Sequence, residues 1–433
     1  MLRRPVLLLA GVLTATTLPL SAAAAPTSGG GAHPPRTFGE LTTFDVAGQV
    51  AEILAVTPNG RTLLYTDSAE QELGLVDLSR PHQPEQLGAV QVGGEPTSVA
   101  VTRGGRYALV AVDTSTSFTE PSGSLVVVDL RAREAIRALD LGGQPDSVAL
   151  SPDGSVAAIA VENERDEEVV VRGVEGGLPQ RPAGFLAVVD LHGTPSSWTL
   201  DTVGLTDLPG ALYPSDPEPE FVDINRQRLA AVTLQENNAV ALVDLDTREV
   251  VGSFSTGTVA RSDADTADDE TIAFDDSLSA PREPDAVQWT PDGNVLTADE
   301  GDLEPTPSGG RGWTIFSPSG DVVFTSGGSA ERALAEAGRY PDDRSDAKGA
   351  EFEGAEVASL LGGSYAFIGS ERGDAVLVYR IEDETAPRLV QVLQTGEAPE
   401  GLLAVRRQQL FLTSNEDDGT ISIFKVRAGR GRL

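Results

Sequence analysis

The sequence has no cysteine and a single methionine among its 433 residues, and its three histidines, His33, His82 and His192, lie far apart. Without cysteine no disulfide can brace the chain and a thiolate zinc site is excluded, so a large regular core must hold it together. Bases are scarce too: 32 Lys and Arg stand against 66 Asp and Glu, a formal net charge of −34. That balance repels nucleic acid and anionic lipid and leaves cations as the natural small partners, although an acidic surface also serves solubility. A Ser-His-Asp triad would have to recruit one of the scattered histidines, and no G-x-S-x-G elbow occurs. Gly310-Arg311-Gly312 lacks the third glycine of a dinucleotide fingerprint and reads as a turn.

The chain opens MLRRPVLLLAGVLTATTLPLSAAAAPTS: two arginines, an apolar run too short and too broken to span a bilayer, then small residues. Residues 1–24 therefore read as a secretory signal peptide. Residues 25–39 read as a Gly/Pro-rich flexible leader and 427–433 as a basic tail. No later apolar run is long enough to cross a membrane, and AGRGRL carries no sorting motif or hydrophobic tail. The expectation is a soluble, exported monomer, extracellular or periplasmic.

Self-similarity is the strongest signal. GEPTSVAVTRGGRYALVAV at Gly94 recurs as GQPDSVALSPDGSVAAIAV at Gly143, with five further copies from Ala51, Pro219, Glu283, Phe352 and Ala398. After most copies a β-branched run closes in Asp-Leu, as in SLVVVDL and FLAVVDL. Asn59-Gly60, Gly104-Gly105, Asp153-Gly154 and Asp292-Gly293 split the strands as hairpin signals, because their central residues can take positive φ. Seven such units predict an all-β fold, a seven-bladed β-propeller of four-stranded antiparallel blades over residues 40–426. The last unit runs out of chain after its third strand, so the alternating ELTTFDV of residues 40–46 should complete it, and its removal should destabilise the ring. One helix is expected from Ser329, with Ser329 as N-cap and Gly338 as stop. Polar insertions at 164–182, 205–216, 261–280, 303–310 and 330–350 read as loops.

In an antiparallel hairpin the start of one strand lies beside the end of the next. The acids opening the inner strands, Asp146, Glu220, Asp285, Glu353 and Glu400, should therefore share one face of the ring with the acids closing their neighbours. Those closers are Asp67, Asp113, Glu162, Glu236, Asp299, Glu300, Asp302, Glu371 and Glu416. Hard cations such as calcium take six to eight oxygens from such groups, so Asp285, Glu300, Asp302, Glu353, Glu371 and Glu400 are the candidate metal ligands and calcium the candidate cofactor. Acids at strand ends also commonly bond turn amides. Residues 262–277 are rich in acids but fail the EF-hand pattern, with Asp268 where glycine is required, and read as a solvated loop. Arg344, Lys348 and Arg372 either grip an anionic ligand or neutralise buried acids, the second being favoured. Within 342–356, Glu351 and Glu353 should point at the channel mouth while Asp342, Asp343 and Asp346 face Arg344, Lys348 and solvent.

The segment YPDDRSDAKGAEFEGAE from Tyr340 resembles the loop of the choice-of-anchor I family of secreted bacterial propellers, akin to YVTN and WD-repeat proteins. Neighbouring segments agree in order: TADEGD, GRGWTIFSPSGDVVFTSG, SYAFIGSERGDAVLVYRI, APEGL and SNEDDGTISIF. The resemblance implies a propeller and export, and leaves biochemical role to the site. The leading expectation is a secreted non-catalytic scaffold that binds a protein, glycan or small molecule on its acidic top face, calcium-stabilised if a cation sits there. No catalytic residue is identified. The alternative is a calcium-dependent phosphoesterase of propeller-phytase type, with Arg344, Lys348 and Arg372 contacting phosphate.

Overall fold

A computed structural model describes residues 36–166, 168–301 and 306–427. The expected signal peptide, all of the expected leader up to residue 35, and the tail beyond Arg427 lie outside these residues, as does Asp302. The described chain forms seven four-stranded antiparallel sheets, each with its strands in chain order from the axis outward except the last. The innermost strands run Leu54–Val56, Glu95–Val101, Pro145–Leu150, Pro219–Ile224, Pro284–Trp289, Ala355–Leu360 and Pro399–Val405 for blades 1 to 7. Each packs against the innermost strand of the next blade, and that of blade 7 against that of blade 1, which closes the ring.

Burial follows position within the blade. The second and third strands, such as Val156–Val161 and Phe185–Asp190 in blade 3, are sandwiched between adjacent blades and are almost wholly buried. Their unbroken β-branched and alanine runs follow from having no solvent face. Outer strands such as Glu134–Asp140 face water and are largely exposed. The four Gly-containing hairpins share one geometry: Gly60, Gly105, Gly154 and Gly293 donate to Thr57, Thr102, Ser151 and Thr290 carbonyls. Each of these glycines has positive φ. The residues before them do not, because Asn59 and Asp153 act instead through their side chains, accepting Arg61 N–H and Ser155 N–H.

The last sheet has the order expected from the missing fourth strand. Thr37–Asp45 pairs antiparallel with Thr420–Arg427, from Thr37 opposite Arg427 to Asp45 opposite Thr420. The strand begins three residues before Glu40, and the extra turn of pleat carries Phe38, 2% exposed, into the core of blades 6 and 7.

Two expectations on the insertions need correction. The acidic stretch at 262–277 is a loop over 265–275, exposed at 268–272, but its ends are not: Thr258–Ala264 and Asp276–Pro281 form a hairpin with Ala264, Leu278 and Ala280 packed together. The helix spans Ser329–Glu336 with Gly328, not Ser329, at the N-cap; the Ser329 hydroxyl donates to Ser326 O. Its end is as expected, since Gly338 takes positive φ while Gly338 and Arg339 N–H bond Ala335 O and Leu334 O, a closure that needs a left-handed residue.

Candidate functional site

At the entry of the inner strands of blades 3 to 7 stand Asp146, Glu220, Asp285, Glu353 and Glu400, and all five line one axial cavity of about 520 Å³ together with Glu300. In blades 3, 4, 5 and 7 a buried proline precedes the acid at the first strand position, where its missing N–H leaves no ladder bond unmade. A register shift follows in each, between Pro145 and Val148, Pro219 and Val222, Pro284 and Val287, and Pro399 and Leu402. Such a bulge inserts an extra residue, so positions three apart share a face instead of positions two apart. Close approach of the backbones is built in at blade 7, where a Cβ on Gly401 would lie 2.2 Å from Glu52 O.

Crowding the acids has the expected electrical result. Burial pushes Asp146 up to about 7, with Glu164 adding to it. Burial also raises Glu220, Asp285, Glu353 and Glu400 well above the usual carboxylate range, reinforced by Glu236 beside Glu220, Glu300 beside Asp285 and Glu353, and Glu52 beside Glu400. Glu371 beside Glu353 pushes Glu353 up further. Oε2 of Glu220 and of Glu400 is buried and accepts no hydrogen bond. Among the described residues, no histidine, lysine or arginine lines the cavity. The site can therefore hold protons or exchange them for cations.

Beside the mouth, Glu300, Glu351 and Glu353 bring carboxylate oxygens within 4.8 Å of one another. The chain supplies its own cations here. Arg344 Nε donates to Glu351 Oε1 at 2.7 Å and Arg372 Nε to Glu351 Oε2 at 3.2 Å, while Lys348 Nζ bonds Glu300 Oε1. Arg372 also pairs with Glu371 at 2.9 Å. Glu351, 1% exposed, is thus clamped in protein and does not open onto the channel as expected. Arg344 and Lys348 turn to Glu351 and Glu300 instead of to Asp342, Asp343 and Asp346; Asp343 and Asp346 are exposed. The reason is desolvation: buried carboxylates need the nearby cations more than solvated ones do. Asp67, Asp113 and Asp299 have the bland role, accepting from Gln49 N–H, Ser115 N–H and the Thr314 hydroxyl respectively.

Some residues of the site escaped the sequence reading. Glu52 occupies the place of Glu400 in blade 1, but its carboxylate turns to the Ser68 and Thr66 hydroxyls. Asp223 and Glu356 follow Glu220 and Glu353 by three residues and line the same cavity deeper down; that spacing is the only mark the sequence gives of it. Arg311 is more than a turn residue. Fully buried, it donates to Asp265 O at 2.8 Å and Ser345 O at 2.9 Å, with Glu331 buried 4.0 Å away. It ties the insertions at 258–281, 306–310 and 329–350 into one structured rim.

Fold and site together define a seven-bladed propeller with a carboxylate-lined axial mouth, which one structured insertion touches through Lys348 and Glu300. The choice-of-anchor I domain model matches residues 52–308 and 304–384, and the chain belongs to that family. Domains of this family typically belong to secreted or cell-surface bacterial proteins. Among the described residues no helix is long and apolar enough to cross a membrane. Solved structures of similar fold include Hydrazine Synthase of Kuenenia stuttgartiensis, at 17% identity and TM-score 0.56, covering 89% of this chain and 98% of that one. The Cps50 (Swd1) β-propeller domain of Myceliophteria thermophila is similar at 13% identity and TM-score 0.57, covering 91% and 100%. At such identities the likeness is one of fold. No curated protein matches the sequence.

Proposed function

We propose that the protein is an exported, non-catalytic binding scaffold that takes a cationic ligand into the carboxylate mouth of its axial channel, calcium being the simplest such ligand. The observation that carries this reading is the convergence of Asp146, Glu220, Asp285, Glu353 and Glu400 on one cavity, with buried Glu220 and Glu400 oxygens that accept no hydrogen bond. Buried carboxylates without counter-ions are held protonated, and a cation entering among them displaces those protons. The phosphoesterase alternative has weaker support, because Arg344, Lys348 and Arg372 are already engaged on Glu351 and Glu300.

Calorimetric titration with Ca²⁺ in two buffers of different ionisation enthalpy tests the reading. Binding with proton release is expected, weakened at least about tenfold when Glu220→Gln and Glu400→Gln are combined. The absence of binding by the parent, or equal binding by the double variant, overturns it. Turnover of a generic phosphate ester with added Ca²⁺ would overturn the non-catalytic part. Export is tested by sequencing the N-terminus of protein recovered outside the cell.

A further inference from the structure

Below the mouth the cavity changes character and then changes back. One residue past the acids Phe221 lines the wall, and two past them Val148, Val222, Leu402 and Ala355 do so; Ser147 and Ser98 also stand at this level, their hydroxyls engaged by Glu220 O and Val148 N–H. At the next step inward the lining turns polar again on one side only: Asp223 in blade 4, Gln288 in blade 5 and Glu356 in blade 6, three residues beyond Glu220, Asp285 and Glu353. The corresponding positions elsewhere, Ala149 and Leu403, are apolar. The cavity is thus acidic at the top, apolar in the middle, and acidic on one side at the bottom. Three strand residues separate the two acidic levels, roughly 10 Å.

The lower acids are fixed in place. Asp223 accepts Trp289 N–H on Oδ2 and Ile224 N–H on Oδ1, both at 2.8 Å, and Glu356 Oε1 accepts Ala404 N–H at 3.3 Å. Arg406 acts electrostatically on both, while its guanidinium donates to Val357 O at 3.4 Å. Two carboxylates against one guanidinium leave one negative charge when both are ionised, which suits a single ammonium. Metal ions fit this lower level poorly, because two carboxylates spoken for by backbone amides cannot supply six oxygens. A hydrated ion would also gain nothing from the apolar belt, whereas methylene groups would.

We infer that the channel admits a linear aliphatic diamine or polyamine end-on, one ammonium among Asp146, Glu220, Asp285 and Glu400, its methylenes against Phe221 and Leu402, and a second ammonium at Asp223 and Glu356. This rests on the mouth being a cation site and adds the length and the two-headed chemistry of what enters it. Glu220 Oε2 and Glu400 Oε2, buried and accepting nothing, are the acceptors for the upper ammonium.

The test compares three probes by calorimetry on the full chain: the terminal diamine of octane, the terminal diamine of butane, and octylamine, with Ca²⁺ titrated separately. The octane diamine should bind at least about tenfold tighter than either other amine, since only it reaches both levels with a charge at each. That advantage should vanish in Asp223→Asn/Glu356→Gln; because Asn at 223 could disturb the backbone bonds, Glu356→Gln alone should cut it severalfold. Equal affinity of all three amines, or an advantage unchanged in both variants, overturns the inference. If Ca²⁺ binds the parent and no amine does, the two-headed ligand is wrong while the cation mouth stands; if nothing binds, both fall.

Discussion

Replacing Phe38 by alanine should unlatch the ring. Phe38 is the anchor of the closing strand: 2% exposed, edge-on to Tyr365 and to Phe367, with ring centroids 5.3 Å away in both cases. Its backbone is bracketed by one side chain of blade 6, for Phe38 N–H donates to Gln391 Oε1 at 3.0 Å and Gln391 Nε2 donates to Phe38 O at 2.9 Å. The substitution keeps that bracket and removes only the packing, so the loss is that of a fully buried phenylalanine, about 3–5 kcal/mol. Two outcomes of denaturant unfolding would be consistent with the latch. A lower midpoint at unchanged slope means that the ring unfolds as one unit from a less stable native state, and a reduced slope means that the strand has already peeled away in the native state. Hydrogen exchange at Thr420–Arg427, the strand it covers, should quicken in either case. A loss below about 1 kcal/mol, within the range of ordinary surface changes, would refute the idea that closure depends on this residue.

Melting temperature should fall as pH rises from about 5.5 to 8.5. Burial raises Glu52 and Asp146 to about 7 and Glu356 to about 8, so folding favours their protonated forms; that stability is complete below the unfolded pKa values and is lost through this window. A flat or rising profile at low salt would contradict it. Gly401→Ala should destabilise by about 1–3 kcal/mol, as overpacking does, because the new methyl meets a carbonyl of blade 1, and normal stability would show that the inner strands can give way. Arg311→Met should cost about 1–3 kcal/mol by leaving the buried carbonyls of Asp265 and Ser345 without their donor, while Glu331 keeps Arg261, and hydrogen exchange should quicken across 342–350; unchanged exchange there would mean that the rim holds without its central guanidinium.

The propeller was legible because its signals are local and repeated: turn glycines, β-branched runs, and a last unit one strand short. The ring of opening acids was legible for the same reason, each standing after a strand-initiating residue at one repeat position. What the repeat does not encode was harder to read. The pairing of Arg344 and Arg372 with Glu351, and of Lys348 with Glu300, depends on which carboxylates end up desolvated, and that is settled by the packing of 342–356 against two blades. Asp223 became a channel residue through a bulge that swaps a two-residue for a three-residue period, and Glu356 stands at the matching place in blade 6. Arg311 looked like part of a turn because its four carbonyl partners, Asp265, Ser308, Ser345 and Ala347, come from three separate insertions, brought together solely by the fold.

The seam that closes the ring also has a mechanical direction. Thr37 lies opposite Arg427 at one end of the ladder, so the two strands leave it side by side. Tension applied outward through both flanks would load one pair at a time and open the seam like a zip, at low force. Tension entering through one flank and leaving through a ligand held at the axis would instead drag Thr420–Arg427 lengthwise between two neighbours, loading every rung at once. The same ladder is weak when both of its flanks are tethered and strong when only one is.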